Sequence, residues 1–126
     1  MTTVTANLMV ESVSEALTFY AALGFDVVSK LPESNPVWAL VTLGEARLMF
    51  QGRSSLEAEF PALKDVAGGG ALTLWFSTAD VKALFERATA VAKVIKPYGV
   101  TDYNGANEFV VQDPNGFILH FSDMKL

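Results

Sequence analysis

Apolar and polar residues in this chain fall into short blocks, and the blocks run through the same order twice. TVTANLMV (3–10) is rich in β-branched and apolar side chains and predicts a strand. Ser12 followed by Glu15 is a capping box. In SEALTFYAAL, Leu17, Tyr20 and Ala21 recur at helical spacing and predict the buried face of a helix, which Gly24 ends. FDVVSKL, VWALVTL and ARLMFQ then predict three strands, with turns at LPESNP and at Gly44-Glu45. A connector follows: SSLEAEFPALKDV predicts a short helix interrupted at Pro61, and AGGG a flexible break. The order then restarts. ALTLWFS predicts a strand, and Ser77 with Asp80 resembles the first cap. A helix is expected from about Ala79 to Val91, then a strand in AKVIKP that stops at Pro97. After the polar loop YGVTDYNGAN, NEFVVQ and GFILHFSD predict two strands joined by DPNG. There Pro114 presets one backbone angle and Gly116 supplies a positive one.

Each half therefore reads β-α-β-β-β. Thr5 precedes Val13 by the interval that separates Thr73 from Val81, and GEARLMF matches GFILHF, so that Met49 is the counterpart of His120. The expected fold class is α+β: paired β-α-β-β-β modules forming a ligand cleft, where side chains from both halves converge. The boundaries are a single domain over 1–126, with module one at 3–51, the connector at 52–70 and module two at 71–123.

Composition narrows the function. With 14 acidic against 9 basic residues and no basic cluster, the chain is a poor partner for nucleic acid. It has no cysteine, which excludes disulfides, thiolate zinc sites and cysteine nucleophiles. No run suits a bilayer span or a signal peptide, so the expectation is no membrane partner and a cytoplasmic location. The glycines at 68–70 lack the lysine and spacing of a phosphate loop. No serine nucleophile comes with a base and an orienting group.

NLMVESVSEALTFYAALGF and EFVVQDPNGFILHF carry a resemblance to the vicinal oxygen chelate superfamily, which includes glyoxalase I, extradiol dioxygenases and bleomycin-resistance proteins. The resemblance covers nearly the whole chain. Metal-dependent members take ligands from both modules, and those positions carried over by motif land on Thr5, Thr73, His120 and Met49. Only His120 is a good divalent-metal ligand. Asn7, on the strand face of Thr5, adds at most a weak oxygen. The departure resembles the bleomycin-resistance-like branch, which shares T-x-N-L, G-x-x-E-F-x-x-x-D-P-x-G and the final H-F. That branch implies metal-free sequestration of a ligand, usually by a homodimer.

His120, the single histidine, has three readings: a packed residue, a pocket contact or a metal ligand. Its place on the repeat-matched strand favours the pocket. Trp38 and Trp75 suit a pocket for a flat apolar ligand, whereas Phe50 and Phe109 fit core packing at least as well. Asn7 is a candidate polar contact, because an amide within an apolar strand needs partners. Thr5 and Thr73 equally fit an ordinary strand face. Glu108 reads as solvated, or else as the acidic partner of a cationic ligand. Glu57 and Glu59, with Arg53 and Lys64, read as the exposed face of the connector.

The expected ligand-binding residues are Asn7, Trp38, Met49, Thr73, Trp75, Tyr103 and His120, with no catalytic residue, metal or cofactor assigned. The expected function is metal-independent binding of a small apolar or aromatic molecule, such as an antibiotic. The alternatives are a metal-dependent glyoxalase-like lyase or isomerase, or a dioxygenase, with an unconventional site at His120, and a dimeric module without a small-molecule role.

Overall fold

The computed structural model describes residues 1–101 and 104–126. The expected pocket residue Tyr103 lies outside the described residues. The chain divides into two compact units, Met1–Gly68 and Gly69–Leu126. The division falls within the AGGG stretch.

In the first unit, β1 (Ala6–Val10), β4 (Ala46–Gly52), β3 (Trp38–Leu43) and β2 (Asp26–Leu31) form a four-stranded sheet in that order. β1 runs parallel to β4 and the other pairs are antiparallel. Helix α1 (Val13–Leu23) crosses between β1 and β2. Its cap forms as the sequence predicts: the Ser12 hydroxyl accepts from the Glu15 N–H at 3.2 Å. Gly24 closes the helix at φ 107°, a left-handed conformation that suits glycine. Tyr20 is fully buried against Phe50 and Phe25, with ring centroids at 4.7 and 5.2 Å. Ala21 corrects the predicted helix face: it is exposed, and the buried set is Val13, Ala16, Leu17, Phe19, Tyr20 and Leu23. β1 begins at Ala6, so Thr5 precedes the strand instead of lying within it. In the connector, α2 (Arg53–Glu59) is followed by a single 3-10 turn at Pro61–Leu63, the interruption expected at the proline.

The second unit repeats the plan. β5 (Thr73–Ser77), β8 (Ile118–Ser122), β7 (Asn107–Gln112) and β6 (Lys93–Val100) form a sheet in that order, with β5 parallel to β8. Helix α3 (Val81–Ala88) packs on one face. Its core is a stack of rings: Phe121 lies between Phe76 and Phe109 at 4.7 and 4.9 Å, and Phe109 meets Phe85 at 5.2 Å. Burying each such ring contributes about 1.5–3 kcal/mol. Phe50 and Phe109 are thus core residues, both with no exposed surface.

Three expectations for this unit are corrected. Asp80 itself caps α3, accepting from the Ala83 N–H at 3.3 Å, while the Ser77 hydroxyl donates to the Met124 carbonyl at 2.8 Å. The helix spans Val81–Ala88, shorter than expected at both ends. β6 continues past Pro97 to Val100, because the pairing with β7 is irregular between Lys96 and Gly99 and the proline sits inside that irregularity.

Candidate functional site

Strand alternation divides each sheet into a face against its helix and a face opposite. In the second sheet Phe76, Phe109, Phe121 and Leu119 take the helix side. The opposite face therefore carries Trp75 on β5, His120 and Ile118 on β8, and Glu108 and Val110 on β7. The register sets Trp75 beside His120 and His120 beside Val110. The Trp75 and His120 rings meet edge to face with centroids 6.3 Å apart. Thr73 is exposed two residues before Trp75, on the same face.

Glu108 organises this face. Its side chain is only 2% exposed, which overturns its reading as a solvated residue. It sits diagonally from His120 across the β7–β8 pair, and His120 Nε2 lies 2.7 Å from Glu108 Oε1. The Lys96 ammonium, brought over from β6, donates to Glu108 Oε2. Burial pushes the Glu108 carboxyl up, but the hydrogen bonds from Lys96 and His120 and their charges outweigh it. The net effect holds the carboxyl below its ordinary value. A buried carboxylate demands such partners. The result is an oriented Lys96–Glu108–His120 triad in which the His120 side chain keeps 24% of its surface exposed.

The first sheet places Asn7, Met49 and Trp38 together opposite α1. Asn7 pairs with Met49, and Trp38 pairs with Gln51. Asn7 is exposed and its amide is engaged, donating to Gln51 Oε1 at 2.9 Å. Gln51 in turn donates to Ser55 Oγ at 2.9 Å and Glu59 Oε1 at 3.1 Å, tying β4 to α2. Glu59 is therefore a bonded partner as well as a surface residue. Arg53 bonds Glu11 at 2.6 Å and the Val66 carbonyl at 2.9 Å. Two recesses in this unit, of about 290 and 440 Å³, open beside the start of α1 and beside β2. Neither is lined by a sequence-predicted pocket residue.

Sequence reasoning named Trp75 and His120 separately, the register sets them side by side, and it missed Lys96 and the burial of Glu108. The hairpin held a usable signal for Glu108, since residues on facing strands of a DPNG turn pair predictably. The donors at the superfamily's metal positions fit a divalent cation poorly. Two threonine hydroxyls and a thioether are weak ligands, and His120 Nε2 is already engaged. Among the described residues no three His, Cys, Asp or Glu side chains are grouped to hold a metal ion.

A twice-repeated β-α-β-β-β module with a polar site on the sheet face opposite the helix defines an α+β fold of the glyoxalase type. The sequence profile of the Glyoxalase/Bleomycin resistance protein/Dioxygenase superfamily matches residues 3–121, and the chain belongs to that superfamily. Solved structures share the fold. A protein of unknown function from Agrobacterium tumefaciens str. C58 is 21% identical, with TM-score 0.81 over 99% of this chain and 95% of that one. The bleomycin resistance determinant encoded on transposon Tn5 is 16% identical, with TM-score 0.70 over 100% of both chains. A bleomycin-binding protein complexed with bleomycin is 15% identical, with TM-score 0.66 over 99% of this chain and 100% of that one. The chain matches no curated protein sequence. Among the described residues no helix is long and apolar enough to cross a membrane.

Proposed function

We propose that this protein binds a small, largely apolar or aromatic molecule without a metal. The observation that carries this reading is the Trp75–His120 pair, held half-buried on the sheet face opposite α3. A stiff aromatic edge beside one polar ring gives apolar contact with an orienting group. The sequence reading adds Asn7, Trp38, Met49, Thr73 and Tyr103 as further candidate contacts. The bleomycin-binding neighbours support an antibiotic-sized ligand, the resemblance supports a homodimer, and the sequence reading supports a cytoplasmic location. Bleomycin and a panel of flat aromatic molecules are expected to quench tryptophan fluorescence in wild type, with the quench reduced in Trp75→Leu. Unchanged fluorescence across the panel would sink the reading.

A second reading, a glyoxalase-like lyase or isomerase or a dioxygenase, draws on the Glu108–His120 pair, since a carboxylate-bonded imidazole is chemically competent. Melting with zinc, nickel, manganese or iron separates the two. A metal that binds the folded state raises the melting temperature by mass action. The binding reading predicts no rise and no effect of a chelator. A chelator-sensitive rise that His120→Ala abolishes would establish the metalloenzyme instead.

A further inference from the structure

We propose that the Glu108–His120 pair makes His120 Nδ1 a directed proton acceptor, so that the ligand of this face is a weak acid. Such a ligand carries an acidic O–H or N–H, of the phenol, enol or imide class, on a flat apolar body. The inference rests on the reading that this face binds a small molecule, and it names the chemistry of that molecule.

The geometry carries the argument. An ionised carboxylate accepts hydrogen bonds and donates none. Glu108 Oε1 at 2.7 Å from His120 Nε2 therefore requires a proton on Nε2. In the neutral form the imidazole has one N–H, and there Nδ1 carries the lone pair. Among the described residues Nδ1 has no hydrogen-bond partner, and the ring is part exposed. A histidine that served only packing would have no need of a carboxylate fixing its tautomer with its other nitrogen left open. Apart from Glu108, the neighbours of the ring along the sheet are apolar: Trp75 stands edge to face with it, and Val110 and Ile118 are half-buried beside it.

Lys96 completes the logic. Its ammonium offsets the Glu108 carboxylate, so the triad with neutral His120 has no net charge. When a ligand O–H bond breaks, the Nδ1–H bond forms and the electron pair stays on the ligand oxygen. The imidazolium then lies against Glu108 on one side and the ligand anion on the other. A neutral isostere without the acidic hydrogen offers Nδ1 nothing, and an unmet acceptor is costly once water is excluded.

His120 is the single histidine in the chain, so a nitrogen-15 spectrum of the ring is free of overlap. In its neutral form the wild-type ring is expected to be protonated at Nε2. A neutral ring protonated at Nδ1 overturns the proposal. The functional test uses 4-nitrophenol and 4-nitroanisole at a pH below the phenol's own pKa. Tryptophan quenching reads binding, and the phenolate absorbance band reads proton transfer. The phenol is expected to bind about tenfold or more tightly than the ether, and to gain the phenolate band on binding. Glu108→Gln is expected to lose that band, and the wild-type comparison of the two probes decides even if this variant fails to fold. Equal binding of both probes with no phenolate overturns the acceptor role and leaves the binding surface standing. No quenching by either probe counts against both.

Discussion

Glu108 is the residue on which the second sheet's polar chemistry depends, and its environment sets what a substitution does. Its carboxylate is buried and bonded by two donors. Glu108→Gln keeps the shape but places an amide where two donors converge, so one contact becomes donor against donor. We expect the variant to lose about 1–3 kcal/mol of unfolding free energy, measured by urea denaturation. Lys96→Met should cost less, about 0–1 kcal/mol, because the Lys96 side chain is 53% exposed. Equal losses would mean that the lysine carries the pair. The sequence contained half of this arrangement. A DPNG hairpin with Val110 opposite His120 puts Glu108 diagonally beside the imidazole, and that follows from counting outward from the turn. Lys96 was not legible, because the irregular pairing between Val94 and Gly99 breaks the count on β6. Asn7 illustrates the opposite limit. Its need for a partner was legible, but the partner is Gln51, whose own bonds run to α2.

Helix starts and strand ends show how local chemistry locates the elements that hold this face. The strand-helix-strand order was readable because hydrophobic periodicity switches from two to about 3.6 at each junction. The N-cap at Ser12 was correctly read, whereas Ser77–Asp80 imitates one. Only Asp80 accepts from a helix N–H, and Ser77 is spent on Met124. Asp80→Ala should therefore cost about 1 kcal/mol, the usual value of a lost N-cap, and should lower the circular-dichroism melting temperature. Ser77→Ala should leave α3 capped, so a Ser77 loss accompanied by helix fraying would contradict this assignment. Gly69 makes a sharper case. It has φ +82° and is buried, and a Cβ there would lie 2.5 Å from the Gly116 carbonyl oxygen in the DPNG turn. Backbone cannot yield as a flexible side chain does. Gly69→Ala should cost about 1–3 kcal/mol through backbone strain and overlap together. A melt unchanged from wild type would show that the turn relaxes freely.

Across the chain, acidic residues outnumber basic ones, 14 to 9, yet the most consequential carboxylate is one that the surplus does not describe. Two effects compete at Glu108. Burial favours the neutral acid, while Lys96 and His120 favour the anion, and the second prevails. The folded carboxyl therefore titrates below the ordinary 4.5. Between that lowered value and 4.5 the unfolded chain binds more protons than the folded one, so stability rises with pH in that window. Glu108 thus contributes fully above 4.5 and loses its contribution as pH falls through the folded value. Glu108→Gln cannot titrate. The stability gap between wild type and this variant should narrow as pH falls below 4.5, measured by urea denaturation at a series of pH values. Had burial won, the carboxyl would be raised, and its contribution would be lost as pH rose through the folded value instead. A gap that widened below pH 4.5 would therefore show that Glu108 enters the fold as a neutral acid. It could then donate a hydrogen bond to His120, and the tautomer on which the proton-acceptor role depends would no longer be fixed.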